Sequence, residues 1–198
     1  MAWTTPTLTG RHVRLAPLEA AHAPALLDAA ADGALWETVY TNIPGPGLAS
    51  AEAYIALAHA QRDAGTALPF VVEDAQGRVV GSTRFYDIDE AVPRAKIGYT
   101  WYAAGAQRTG LNTEAKRLLL AHAFEALGCA CVALETSHLN LRSQAAIARL
   151  GAKRDGVLRA HLRHKDGSLR DSVVFSILAE EWPAVRGRLD GLLQEHAS

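Results

Sequence analysis

The chain has few of the residues that would commit it to a special class. It holds two cysteines, Cys129 and Cys131, and one methionine in 198 residues. A single residue separates the cysteines, too little for an unstrained bridge along one strand, so the expectation is reduced thiols in a cytoplasmic protein. Lysine and arginine (20) nearly balance aspartate and glutamate (21), leaving a net charge of −1. That excludes a general basic field for nucleic acid, and any anion site must be local. No apolar run nears the ~20 residues of a membrane span. Met1 to Arg11 is polar and has no signal-peptide core. No repeat, low-complexity tract or charged tail occurs. Neither G-x-x-x-x-G-K-[ST] nor G-x-G-x-x-G follows a strand pattern, which excludes a Walker loop and a dinucleotide fingerprint.

What is present is ordinary globular composition. Hydrophobic residues are 49% and charged residues 21%, which excludes a disordered chain. The length suits one domain spanning 1–198. His12 to Leu18 alternates apolar and polar and reads as a strand. Glu19 to Ala31 reads as a helix, Thr41 to Leu48 as a loop, and Ser50 as the cap of a second helix running to Asp63. Leu68 to Glu73, Arg78 to Asp87 and Ala95 to Ala103 read as an antiparallel meander. Asn112 to Leu127 is a long amphipathic helix stopped by Gly128. Cys131 to Thr136 is a strand and Leu141 to Leu150 a helix. Asp155 to Arg163 and Leu169 to Leu178 form a hairpin about Lys165-Asp166-Gly167, and Glu181 to His196 is a closing helix. The fold class is therefore α+β: a mixed sheet with an antiparallel meander, a central strand-helix-strand unit, and a C-terminal hairpin and helix.

Trp101 to Lys116, WYAAGAQRTGLNTEAK, is the most informative segment. A strand enters a glycine-containing turn that opens a long helix, and the unpaired N–H groups there, with the helix dipole, suit an anion. Gly110 either lets a phosphate approach the backbone closely or simply makes a tight turn. Asn112 is a candidate cap, and Arg108, Lys116 and Arg117 add local positive charge. Trp36 and Tyr40, four apart, either line an acceptor pocket or fill the core. Arg84 and Tyr86 share one face of a central strand and are candidates to meet an acidic or polar acceptor. Asp171 and His138 are weaker candidates beside the same region. Cys129 and Cys131 with His122 make a poor zinc spacing, and no metal is expected. His161 and His164, three apart on a strand, point to opposite faces.

Gln107-Arg108-Thr109-Gly110-Leu111-Asn112 resembles the (Q/R)-x-x-G-x-(G/A) turn of the GCN5-related N-acetyltransferases. Asn140-Leu141-Arg142-Ser143 with Ala146-Ile147 and Leu150-Gly151 resembles a segment of the RimJ/RimL-type subgroup, which acetylates protein N-termini. Ile97 to Trp101 and Arg170 to Phe175 resemble that subgroup too. The resemblance implies acetyl-CoA as acyl donor and splayed parallel strands in the central unit. Gln107, Arg108, Thr109, Gly110, Leu111, Asn112 and Thr113 would wrap the pyrophosphate. Trp101, Tyr102 and Ala103 would pair with the pantetheine arm. Asn140 would hydrogen-bond that arm, and Arg142, Lys116 or Arg117 would meet the adenosine phosphates. A backbone N–H near Tyr102 would hold the oxyanion, and Ser143 would protonate the departing thiolate. The acceptor would be a primary amine, of a peptide N-terminus or a small molecule, and the assembly a homodimer.

The chain departs from the family pattern at three positions. Asn112 stands where the turn ends in Gly or Ala. Ile147 stands where many members have a tyrosine acid. Lys96 stands eleven residues before Gln107, where histone-type members have a glutamate base. Loss of a strong base handicaps a lysine ε-amine (pKa ~10.4) more than an α-amine (pKa ~8), so the pattern leans to low-pKa amines. Asp87, Asp89 and Glu37 are the remaining carboxylate bases to consider. The missing acid and base also motivate the alternative of an acyl-CoA-binding sensor that has lost turnover.

Overall fold

The computed structural model describes residues 3–195. Its strands are β1 (Leu8–Thr9), β2 (Val13–Pro17), β3 (Ala67–Asp74), β4 (Val79–Asp89), β5 (Arg94–Tyr102), β6 (Cys131–Ser137), β7 (Lys153–Arg163) and β8 (Leu169–Leu178). Its helices are α1 (Ala23–Ala31), α2 (Leu48–Asp63), α3 (Leu111–Ala121), α4 (Leu141–Leu150) and α5 (Trp182–Glu195). One sheet runs in the order β1-β2-β3-β4-β5-β6-β8-β7. All neighbours are antiparallel except β5 and β6, the pair joined by α3. This is the mixed sheet expected, with the meander at β3–β5 and the hairpin at β7–β8. The two-residue β1 was not anticipated; it is too short to show alternation.

Adjacent residues of β4 face opposite layers. Arg84 meets Tyr54 and Gln61 of α2, whereas Phe85 meets His122 at the end of α3. So α2, with α1 packed on it, covers one face and α3 the other. Arg149 of α4 bonds Thr113 of α3, and α5 packs on α3, so these three share the second face. Phe70, Phe85, Leu119, Leu120 and Ile177 are wholly buried between the layers; each such side chain contributes about 1.5–3 kcal/mol.

Several local expectations are corrected. Ser50 is not a helix cap: α2 begins at Leu48 after Gly47, and the Ser50 hydroxyl accepts a bond from the Gly45 N–H. Asn112 does not cap α3 either, since Gly110 is the N-cap and Asn112 lies inside the first turn. The long helix does not continue regularly to Leu127; it widens to a π-turn over His122–Ala126. The closing helix starts at Trp182, and its expected end at His196 lies outside the described residues.

Two irregularities shape the centre of the sheet. In β5, Tyr99 and Thr100 together oppose Thr83, a bulge made possible by Tyr99 at φ 50°. Gly98 and Tyr99 consequently lie on the same face. Further along, β4 and β5 approach so closely that a Cβ on Gly81 would lie 2.0 Å from the Trp101 carbonyl oxygen. Backbone cannot yield there as a flexible side chain would. Gly81→Ala is therefore expected to destabilise the fold by about 1–3 kcal/mol, read as a lowered urea midpoint; an unchanged midpoint would disprove the close approach.

Candidate functional site

The site is built on a fork in the sheet. β5 and β6 pair only from Arg94↔Cys131 to Lys96↔Ala133. Beyond that, the second half of each strand runs on without a mutual pair. At the crotch, the Lys96 ammonium meets Glu135 of β6 at 2.6 Å and Asp87 of β4 at 2.8 Å. These carboxylates hold the Lys96 pKa above its ordinary value, so it stays a cation and accepts no proton. Asp87 is lowered by the same contact, and Asp89 is spent capping the β4–β5 hairpin at the Ala91 and Val92 N–H groups. Neither suits a base.

The free edge of β5 leads to the start of α3. The Ala103 N–H donates to Val80 on β4; by strand alternation the Tyr102 N–H and C=O face the opposite edge, into the fork. The Tyr102 carbonyl accepts from the Gln107 side-chain amide at 2.8 Å. The other end of that amide accepts from Arg142 of α4, also at 2.8 Å. Gln107 thus ties the strand, the turn and α4 together. The Tyr102 phenol is buried and has no hydrogen-bond partner among the described residues, and burial raises its pKa well above the ordinary range. Its chemistry therefore resides in the backbone.

The turn is sharpened by Arg108, at φ 63°, and not by Gly110, which has an ordinary helical φ of −63°. A tight turn is thus not what Gly110 supplies. Thr109 Oγ1 accepts from the Leu111 N–H, and the first helical bond is Glu114 N–H to Gly110 C=O. The Asn112 and Thr113 amides precede it and have no helical carbonyl to meet. Asn140 caps α4: its Oδ1 accepts from the Ser143 N–H at 3.0 Å. Ser143 is half-buried, and its hydroxyl bonds to nothing among the described residues.

Two basic candidates are placed elsewhere. Arg117 pairs with Asp190 of α5 at 2.9 Å. Lys116 is buried and donates to Thr100 Oγ1 at 2.8 Å, and Thr100 in turn pairs with Thr83. Neither side chain bonds to the 107–113 turn. Burial without a carboxylate lowers the Lys116 pKa to about 7.

On the α2 face the cation Arg84 lies 4.1 Å from the Tyr99 ring centroid and 5.2 Å from that of Tyr54. Tyr99 meets Tyr86 edge-on at 5.2 Å. Arg84 and Tyr86 are therefore brought together through Tyr99, a residue that sequence alternation would put on the other face. Trp36 and Tyr40 are half-buried in the segment between α1 and α2, and no ring contact or hydrogen bond joins them to Arg84 or Tyr86. The Lys165 N–H donates to Val39 in that segment, so the β7–β8 hairpin tip leans on it.

Near the end of β6 a chain of polar contacts went unread in the sequence. Ser168 gives its only proton to Asp166, so His164 Nδ1 donates to Ser168 and Nε2 accepts from the buried Ser137 hydroxyl at 2.8 Å. His161 instead meets Ser172. Asp171 holds the Ala160 N–H, and its own N–H donates to His138 Nδ1, so both serve the hairpin. No cluster of metal ligands occurs among the described residues, and no described helix is long and apolar enough to cross a membrane.

Residues 12–153 match the acetyltransferase (GNAT) domain family. A GCN5-related N-acetyltransferase structure from Brucella melitensis is 30% identical, covers 98% of this chain and 87% of its own, and superposes with a TM-score of 0.88. RimJ from Mycobacterium smegmatis, in complex with CoA-disulfide, is 25% identical, with 96% of each chain covered and a TM-score of 0.82. The Bacillus subtilis (strain 168) protein YdaF, provisionally named a ribosomal N-acetyltransferase, is 33% identical over 106 residues. That match spans 54% of this chain and 57% of YdaF, little more than half the relative's length. The chain belongs to the GNAT acetyltransferase family, whose acyl donor is acetyl-CoA.

Lys116 makes a pH-dependent prediction. Its folded pKa lies below its unfolded value, so the unfolded chain binds the extra proton and stability rises with pH above about 7. Urea stability of the wild type relative to Lys116→Met should be flat below that pH. Above it the difference should climb toward about 1.4 kcal/mol per pH unit. A flat difference throughout contradicts the buried, unpaired amine.

Proposed function

We propose that this GNAT-family chain, read as one domain over 1–198, transfers acetyl from acetyl-CoA directly to a primary amine. What carries this reading is the open inner edge of β5, with the Tyr102 N–H facing the fork and the α3 amides at its mouth. Those groups fit the donor in kind: an extended amide-bearing arm needs a free strand edge, and a pyrophosphate needs unpaired N–H groups. Trp101, Tyr102 and Ala103 flank the arm. Gln107 through Thr113 hold the pyrophosphate, with Gly110 keeping the backbone clear of a side chain. Arg142, exposed and already leaning on Gln107, meets the adenosine phosphates. Asn140 keeps its amide NH2 for the arm while its oxygen caps α4.

The amine adds to the thioester carbonyl carbon, and the Tyr102 N–H stabilises the charge that develops on the oxygen. The carbon–sulfur bond then breaks. Ser143 gives its proton to the leaving sulfur and is reprotonated from water, which also takes the amine's proton. Ile147 supplies no proton, and Lys96 accepts none, so the acceptor is an amine of low pKa: a peptide N-terminus or a small molecule. Trp36 and Tyr40 flank its entry, and Arg84 and Tyr86 lie at its far wall.

The chain forms a twofold dimer in this reading. The support is an edge hairpin that exposes Val157, Leu158, Leu162 and Leu169 on β7 and β8. A cytoplasmic location suits Cys129 and Cys131, both free thiols.

Two variants test the chemistry. Gly110→Val should weaken acetyl-CoA binding at least tenfold in a calorimetric titration; unchanged affinity would place the donor elsewhere. Ser143→Ala should lower kcat by roughly 10²-fold with little change in acetyl-CoA binding. Turnover within about twofold of wild type would remove Ser143 as the acid. For the dimer, a monomer mass by light scattering at micromolar concentration would overturn it.

A further inference from the structure

We infer that the acceptor amine carries a carboxylate, and that Arg84 is the residue that selects it. The inference rests on the transfer reading above and gives the class of its second substrate.

Arg84 is wholly buried on the central strand of the sheet, yet among the described residues it makes no ion pair. Its Nη1 donates to Gln61 Oε1 at 2.8 Å, and its Nε and Nη2 are buried with no acceptor among the described residues. A guanidinium does not discharge itself by losing a proton, as a buried lysine does. A buried charge with unbonded N–H groups is costly unless a partner arrives. The stacked Tyr99 and Tyr54 rings offset part of that cost and fix the guanidinium plane, but rings accept little of the in-plane hydrogen bonding that Nε and Nη2 offer. A carboxylate takes two such bonds at once.

The surroundings leave this role to an incoming group. The carboxylates nearest the fork, Glu135 and Asp87, are both held by Lys96. Gln61 is neutral and occupies one nitrogen only. Across the ladder from Arg84 stand Pro69 on β3 and Gly98 on β5, neither of which brings an acceptor side chain. A Cβ on Gly98 would lie 2.6 Å from the Tyr86 ring, so that ring lies directly over the glycine. The result is a row of Arg84, Tyr99 and Tyr86 against the bulge, on the α2 face of the strand whose free edge we assign to the donor. Arg170 adds to it: its Nε is also buried without an acceptor, and its charge acts on the Tyr86 phenol. A buried guanidinium in the aromatic row, with a second whose charge reaches Tyr86, suits an anionic acceptor and disfavours a polyamine or a lysine-rich one.

The test uses amine pairs that differ only in charge: the tripeptide amides Glu-Ala-Ala and Gln-Ala-Ala, with acetyl-CoA saturating. The glutamyl peptide should be favoured at least tenfold in kcat/KM, mainly through KM. Arg84→Met should bring the ratio to within about twofold of unity. Equal rates, or a preference that survives Arg84→Met, would overturn the inference while leaving acetyl transfer intact. If neither peptide nor a wider amine panel is acetylated, the transfer reading fails, and a titration decides the anion site separately. The α-amide of N-acetylglutamate should then bind the CoA-loaded wild type more tightly than the α-amide of N-acetylglutamine, which carries no carboxylate, and lose that advantage in Arg84→Met; absent binding overturns the site. Should Arg84→Met not fold, Gln61→Leu releases the Nη1 anchor and should lower the same ratio; an unchanged ratio counts against the assignment. A variant with a lowered melting temperature and an unchanged ratio would make Arg84 a core cation only.

Discussion

Everything at the centre of this protein depends on two parallel strands ceasing to pair. β5 and β6 share three residue pairs, and at the last of them Lys96 reaches from one strand to Glu135 on the other. Parallel strands left free to pair would zip to their ends. Here β5 keeps its pairing with β4 through a bulge at Tyr99 and Thr100, and the Lys96–Glu135 bridge spans the two strands where their own ladder stops. Backbone groups are left facing a gap, and a gap lined by unpaired amides is unfavourable until something extended fills it. The same lysine that occupies the position of a familiar base is thus a fastening of the fork, its charge balanced on both sides.

The two sides of the sheet manage buried positive charge differently. Lys116, on the α3 side, has hydroxyls for company and tends toward neutrality. Arg84, on the α2 side, remains a cation and rests on aromatic faces. One side can lose its charge to the environment; the other must have it answered.

Much of the architecture was legible in the chain. Glycine and the hydrophobic period marked nearly every element, and the 107–113 turn and the Asn140–Ser143 segment, both singled out in the sequence, are joined by the Arg142–Gln107 bond. What could not be read has a common cause: it depends on partners distant in sequence. The bulge flips Tyr99 onto the Arg84 face without any local signal, since no glycine or proline sits at position 99. The ion pairs that disqualify Asp87 as a base join β4, β5 and β6. Arg117 and Lys116 sit beside the turn in sequence, but helical periodicity sends one to α5 and the other under the sheet. Ser50 and Asn112 have the chemistry of caps but lie three and two residues past the N-caps Gly47 and Gly110, an error of boundary that propensity alone does not correct.

The first turn of α3 is also where the beginning of the described chain is anchored. Glu114 is buried there and accepts the N–H groups of Arg11, His12 and Val13 at 2.9, 2.6 and 3.0 Å. The carboxylate sits so close to Gly10 that a Cβ at that position would overlap it. The leading segment is therefore mechanically coupled to the first turn of α3. A pull applied ahead of residue 8, by a fused tag or a surface tether, would pass through the short β1–β2 pairing to three hydrogen bonds on that helix. The usual choice of the N-terminus as a harmless handle would here load the helix start on which we propose the pyrophosphate rests.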